Sequence, residues 1–145
     1  MLLKTQVIVN PESDKGRTGK RWKFIKESLK NFIKEFQYEF TEKPLQATEI
    51  SRAAIKEGSE LIVGVGGDGT MNEIANGFYE SKRIINPQAA LGIVPSGTGS
   101  DFTRSLNIPL RLKNALKVVT QAPSSWIDIG TQDIVGPWPK GGGFL

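Results

Sequence analysis

Apolar residues along the chain recur at two spacings, and the alternation between them sets the fold. "KTQVIVN" holds a short β-branched run that ends at Asn10-Pro11, the pattern of a buried first strand leading into a loop. "PESDKGRTGK" is then polar and turn-rich. From Trp22 to Phe36 the apolar positions are Trp22, Ile25, Leu29, Phe32, Ile33 and Phe36, which predicts a helix with one inward face. "YEFTEKP", Tyr38 to Pro44, fits a second strand stopped by the proline. A second helix is expected over Leu45 to Lys56, with Ala47, Ile50, Ala54 and Leu45 as inward positions and Gly58 closing its C-terminus. "ELIVGV" is continuously apolar, as a strand buried on both faces is. A helix over Thr70 to Phe78 and a fourth strand in "AALGIVP" follow. "GTGSDFTRSLNIP" reads as a loop with one helical turn, "LRLKNALKVVTQ" as an amphipathic helix, and "SSWIDIG" as a strand that begins something new.

Strands alternating with helices predict βαβ units. The fold class is α/β: a three-layer, Rossmann-like parallel sheet with helices on both faces. Ligands of such sheets sit off the carboxyl ends of the strands. Asn10, Thr41, the 66–70 glycine loop and "PSGTG" all follow predicted strand ends, so four loops should meet at one edge.

Composition narrows the chemistry. The chain has 145 residues, enough for one compact core, with 38% hydrophobic and 23% charged residues. It has no histidine, so proton transfer falls to carboxylates, lysine, tyrosine or water. It has no cysteine, which excludes disulfides and thiolate chemistry and fits a reducing cytoplasm. The net charge of +4 suits nucleotide phosphates or an anionic membrane surface, but suits an ordinary soluble protein better. No apolar run approaches a membrane span, and "MLLKTQVIVN" lacks the parts of a signal peptide. The expected location is cytoplasmic, at most peripheral at the inner face of a membrane.

The stretch "VGVGGDGTMNEIANG" carries five glycines and one aspartate between an apolar run and a helix. Gly64, Gly66 and Gly69 satisfy G-x-G-x-x-G, the dinucleotide fingerprint, but in the third βα unit rather than the first. No acidic residue follows at about 20 positions to hold a ribose. A P-loop is also absent: Gly16 and Gly19-Lys20 are wrongly spaced, and Arg21 stands where Ser or Thr belongs. A tight turn would need one or two glycines; this loop has more. Backbone without side chains lets N–H groups approach a phosphate, and a helix N-terminus adds its dipole. Asp68 would repel that phosphate unless it faces Mg²⁺ or the hydroxyl about to attack the phosphorus.

"GGDGTMNEIANG" together with "PSGTGSDFTRSLNIP" resembles the catalytic domain of the diacylglycerol kinase family, which includes bacterial lipid kinases and sphingosine kinases. The glycine loop alone also resembles NAD kinases and phosphofructokinases, whose nucleotide-binding fold the chain should share; the second motif favours the lipid-kinase branch. The resemblance implies ATP and Mg²⁺ as cofactors and a diacylglycerol-like lipid as substrate, met at a membrane surface. It implies no nucleic-acid partner; a homodimer is the remaining partner expectation. Asn10 and the loop Pro11, Glu12, Ser13 and Asp14 would line the nucleotide, and Thr41 would contact ATP through its hydroxyl. Gly66, Gly67, Gly69, Thr70, Met71, Asn72 and Glu73 would wrap the phosphates, with Asp68 as catalytic and metal-facing carboxylate. Ser96, Gly97 and Thr98 would bind from the second glycine turn. Asp128 in "WIDIG" would belong to a polar network beside the lipid.

Two positions depart from the family pattern. Asp14 stands where the first loop usually has glycine, adding charge and stiffness, and Ser100 replaces the usual asparagine. Plainer roles compete elsewhere. Glu73 could simply favour a helix dipole, Asp101 could cap the short helix after it, and Lys15, Arg17, Lys20, Arg21 and Lys23 read as a solvated face. The expected domains are 1–125, an ATP-binding catalytic domain, and 126–145, either the start of a second, β-rich domain or a disordered tail. Two other functions stay open: a nucleotide-binding module without catalysis, and an NAD kinase-like enzyme.

Overall fold

The computed structural model describes residues 3–97 and 100–121. Its central sheet has four parallel strands in the order β2-β1-β3-β6: β1 Thr5–Val9, β2 Gln37–Phe40, β3 Leu61–Gly66 and β6 Ala90–Pro95. The helices are α1 Arg17–Lys20, α2 Trp22–Lys30, α3 Gln46–Lys56, α4 Asp68–Gly77, α5 Asp101–Ser105 and α6 Leu112–Gln121. A small antiparallel hairpin, β4 Tyr79–Glu80 and β5 Arg83–Ile84, stands apart from the sheet.

Alternation along the strands sorts the core into two layers. Val7, Val9, Val63, Val65 and Val94 face α2 and α6, where Trp22, Ile25, Leu29 and Leu116 cover them. Ile8, Ile62 and Ile93 face α3 and α4, against Ala47, Ile50, Ala54, Ile55, Met71 and Ile74. A side chain is missing from the second layer at Gly64, where a Cβ would lie 2.7 Å from Met71 Sδ and from Ile74 Cδ1. That gap lets α4 lie close against β3.

Three expectations are corrected. The second helix begins at Gln46, and Leu45 is exposed with φ of 66°, outside the helix rather than inward. The helix expected through Phe36 stops at Lys30, although Ile33 is buried and Phe32 and Phe36 pack against the same cluster. The apolar period therefore outlasts the helix, because the chain keeps crossing the same face on its way to β2. The turn-rich stretch before it contains α1, entered through left-handed Asp14, Lys15 and Gly16. The end of α3 follows the rule: Gly58 has φ of 91°, its N–H bonds Ile55 O at 3.0 Å, and the Ser59 N–H bonds Ala54 O at 2.9 Å. "SSWIDIG", and the proposed second domain with it, lies outside the described residues.

Candidate nucleotide site

Strand order puts the site where the connections diverge. From β1 the chain goes one way to β2, and β3 lies on the other side, which opens a crevice at their carboxyl ends. The ladder bonds carry on into the loops. Asn10 N–H donates to Val65 O at 3.0 Å, Thr41 N–H to Val9 O at 2.9 Å, and Ser96 N–H to Gly66 O at 2.8 Å. All four predicted loops thus leave the sheet side by side.

The glycine loop enters α4 directly. Gly67 is the extended N-cap and Asp68 the first helical residue, two positions earlier than the pattern suggested. Backbone N–H groups in the first turn of a helix have no acceptor within it, and a Cβ on Gly69 would meet no atom of the described residues within 4 Å. The second motif abuts it: Gly97 has φ of 152°, and its Cβ would sit 3.4 Å from Gly67 Cα.

Asp68 links the two motifs. Its Oδ2 accepts the N–H groups of Asp101 at 3.0 Å and Phe102 at 3.3 Å, the first residues of α5. Asp101 is therefore not the cap it was read to be; its own side chain is 93% exposed. Ser100, the N-cap residue, is buried and makes no side-chain cap bond, because the carboxylate from the other loop already serves the helix.

Asn10 ties the first loop to α4. Its Nδ2 donates to Thr70 Oγ1 at 3.0 Å, and its Oδ1 accepts the Glu12 N–H at 3.1 Å. Asn10, Glu12, Thr41, Thr70 and Glu73 line a cavity of about 340 Å³, together with Glu42, Lys43, Pro44 and Ala47. These last four were missed. Residues 42–44 directly follow a strand end, which was the signal available; Ala47 reads as core and also forms the wall. Pro11, Ser13 and Asp14 complete the loop, with Asp14 at φ of 55° and paired to Arg17 at 2.8 Å. The departure from glycine is thus held in a glycine-like backbone, and its charge is matched by a neighbour.

One predicted contact is not brought to the crevice. The Met71 side chain lies in the core, 1% exposed, and its N–H bonds Gly67 O at 3.1 Å. Ser96 turns its hydroxyl to Thr18. Asn72 is exposed on α4. Thr98 and Asp128 lie outside the described residues. No group of three or more His, Cys, Asp or Glu able to hold a metal occurs among the described residues. Mg²⁺ is commonly bound by one or two carboxylates with water and substrate phosphate completing its shell, so Asp68 as a single donor fits that mode.

The sequence matches the model of the diacylglycerol kinase catalytic domain over residues 4–132. The chain belongs to this family. It is 33% identical to a diacylglycerol kinase of Staphylococcus aureus and 31% to one of Staphylococcus carnosus, each over 130 residues and 90% of this chain. It spans about two fifths of the length of these curated relatives, 40% and 41%. A crystal structure of a diacylglycerol kinase from Bacillus anthracis strain Sterne superposes with a TM-score of 0.67 at 30% identity, covering 81% of this chain and 42% of that one. The α/β fold of the diacylglycerol kinase catalytic domain is therefore this chain's fold. No helix among the described residues is long and apolar enough to cross a membrane.

Proposed function

We propose that this chain is the nucleotide-binding part of an ATP-dependent lipid kinase that transfers the γ-phosphate to the hydroxyl of a diacylglycerol-like lipid. One observation carries the reading: Asp68 stands inside a glycine loop and also joins it to the second motif, in a member of this family. Phosphates belong over Gly67, Gly69 and Thr70, where backbone donors are available. Glu12, Glu42 and Glu73, against Lys43, give the neighbouring cavity an acidic lining that favours the hydroxyl and amino donors of a nucleoside over phosphate. The lipid oxygen would attack the γ-phosphorus as the bond to the ADP oxygen breaks. Asp68 is the described carboxylate placed to receive the hydroxyl proton or to face Mg²⁺, whose chemistry is to neutralise phosphate charge. The site has no histidine or cysteine, which suits a transfer that depends on positioning and charge. The lipid would be met at a membrane surface, with the protein on its cytoplasmic side.

Calorimetric titration of the chain with ATP and with NAD, each with and without Mg²⁺, tests the nucleotide reading. Preference for ATP is expected; preference for NAD would overturn it. In the full-length protein, Asp68→Asn should keep ATP binding nearly intact and slow transfer to diacylglycerol by about 10²-fold or more, the scale of a lost general base. Transfer at the wild-type rate would remove Asp68 from the chemistry.

A further inference from the structure

Thr18 sits in the four-residue helix α1 with its side chain fully buried, and its hydroxyl touches two loops distant in sequence. One partner is Ser13 Oγ at 2.7 Å, in the loop after β1; the other is Ser96 Oγ, in the turn after β6. Ser13 donates to the Asn10 carbonyl at 2.8 Å. Proton counting fixes the direction of this chain of bonds. A hydroxyl carries one proton and a carbonyl none. Ser13 has given its proton to Asn10, so Thr18 must donate to Ser13, and Ser96 must donate to Thr18. Asn10 then passes the connection on through its amide to Thr70, at the start of α4.

We propose that Thr18 is a positioning residue that couples the two glycine motifs. It fixes the Ser96 turn against the Asn10 loop before a ligand arrives, and it leaves Ser96 as an acceptor rather than a donor. A single buried hydroxyl can do this because its two partners are both hydroxyls, each able to donate in one direction and accept in the other. Its consequence for ATP rests on the nucleotide reading above; the coupling itself does not.

Backbone amides report the coupling without ligand, since the Ser96 N–H bonds Gly66 O at 2.8 Å and the Ser13 N–H bonds Asn10 O at 3.2 Å. In Thr18→Val, which keeps the shape and removes the hydroxyl, hydrogen exchange at Ser96 should rise about tenfold, the scale of one lost hydrogen bond. Thr18→Ser should exchange at the wild-type rate. Ser96→Ala cuts the same link from the other end and should speed exchange at Ser13, which keeps the test alive if Thr18→Val does not fold. Unchanged exchange at Ser96 in Thr18→Val, or at Ser13 in Ser96→Ala, would overturn the coupling. The Kd for Mg·ATP should rise about tenfold in Thr18→Val and return in Thr18→Ser; an unchanged Kd would overturn the positioning role. A wild-type chain that binds no ATP would sink the nucleotide reading instead, and the exchange rates would still decide on Thr18.

Discussion

The helix pairs on the two faces of the sheet are joined in different ways. The face under α2 and α6 is filled by bulk: Trp22, Ile25, Leu29, Ile33 and Leu116, all buried. Trp22 Nε1 is buried there with no acceptor among the described residues. The face under α3 and α4 carries bulk as well, in Ile50, Ile55, Met71 and Ile74, but there the two helices are also joined to each other by small residues and hydroxyls. Thr48 Oγ1 donates to Glu73 O at 2.7 Å and Ser51 Oγ to Ile74 O at 3.0 Å, while Arg52 reaches Asn76 O in the last turn of α4 and Tyr79 O in β4. A Cβ on Gly77 would fall 1.6 Å from Ser51 Oγ and 2.7 Å from the Thr48 carbonyl. Bulk packing tolerates adjustment, whereas hydrogen bonds and close backbone approach fix a distance. The face that sets the position of α4, and so of Asp68 and Thr70, is the one made with fixed distances.

Substitutions on each face should separate stability from function. Leu29→Ala is expected to lower unfolding free energy by about 3 kcal/mol, through lost transfer energy and the cavity left behind. ATP affinity should change less than about twofold. Urea unfolding with a parallel titration measures both, and a large loss of affinity would break the contrast. Gly77→Ala should destabilise by about 2 kcal/mol, because the Thr48 backbone cannot yield as a side chain would. Here ATP affinity should fall as well, since α4 must shift; intact affinity would show that the site does not depend on this contact.

Much of the architecture was legible in the residues. Continuous apolar runs marked β1, β3 and β6, and the rule that ligands sit at strand ends brought Asn10, Thr41, residues 66–70 and Ser96 to one rim before any coordinates. The hairpin β4–β5 was not legible, because two-residue strands have no period to read. Thr18 and the capping of α5 by Asp68 were hidden for another reason. Their partners lie 78 and 33 residues away, and no local pattern encodes such a contact.

Smaller effects sharpen the picture of the loops. Asp14→Gly should change stability by no more than about 0.5 kcal/mol: relief of a left-handed backbone is offset by a freer unfolded chain and by loss of the partly exposed Arg17 pair. A larger gain by thermal unfolding would mean that the loop is strained for a purpose. Smallest is the Lys56–Glu80 pair, which joins α3 to the hairpin at 2.6 Å. The hydrogen bond and charge of Lys56 hold the exposed Glu80 carboxyl below its ordinary value of 4.5. A depressed acid stabilises above its unfolded pKa, and the contribution disappears as pH falls through the lower folded value. Carboxyl NMR should find Glu80 titrating below 4.5 and moving back toward that value in Lys56→Gln.

The opposite rim of the sheet offers a practical handle. Glu57 is exposed just before β3 begins, and the strand from Leu61 to Gly66 separates it from the glycine loop by about 17 Å. Since the chain contains no cysteine, Glu57→Cys would supply its sole thiol. A dye or surface linker attached there would orient every molecule the same way, with its glycine loops turned outward.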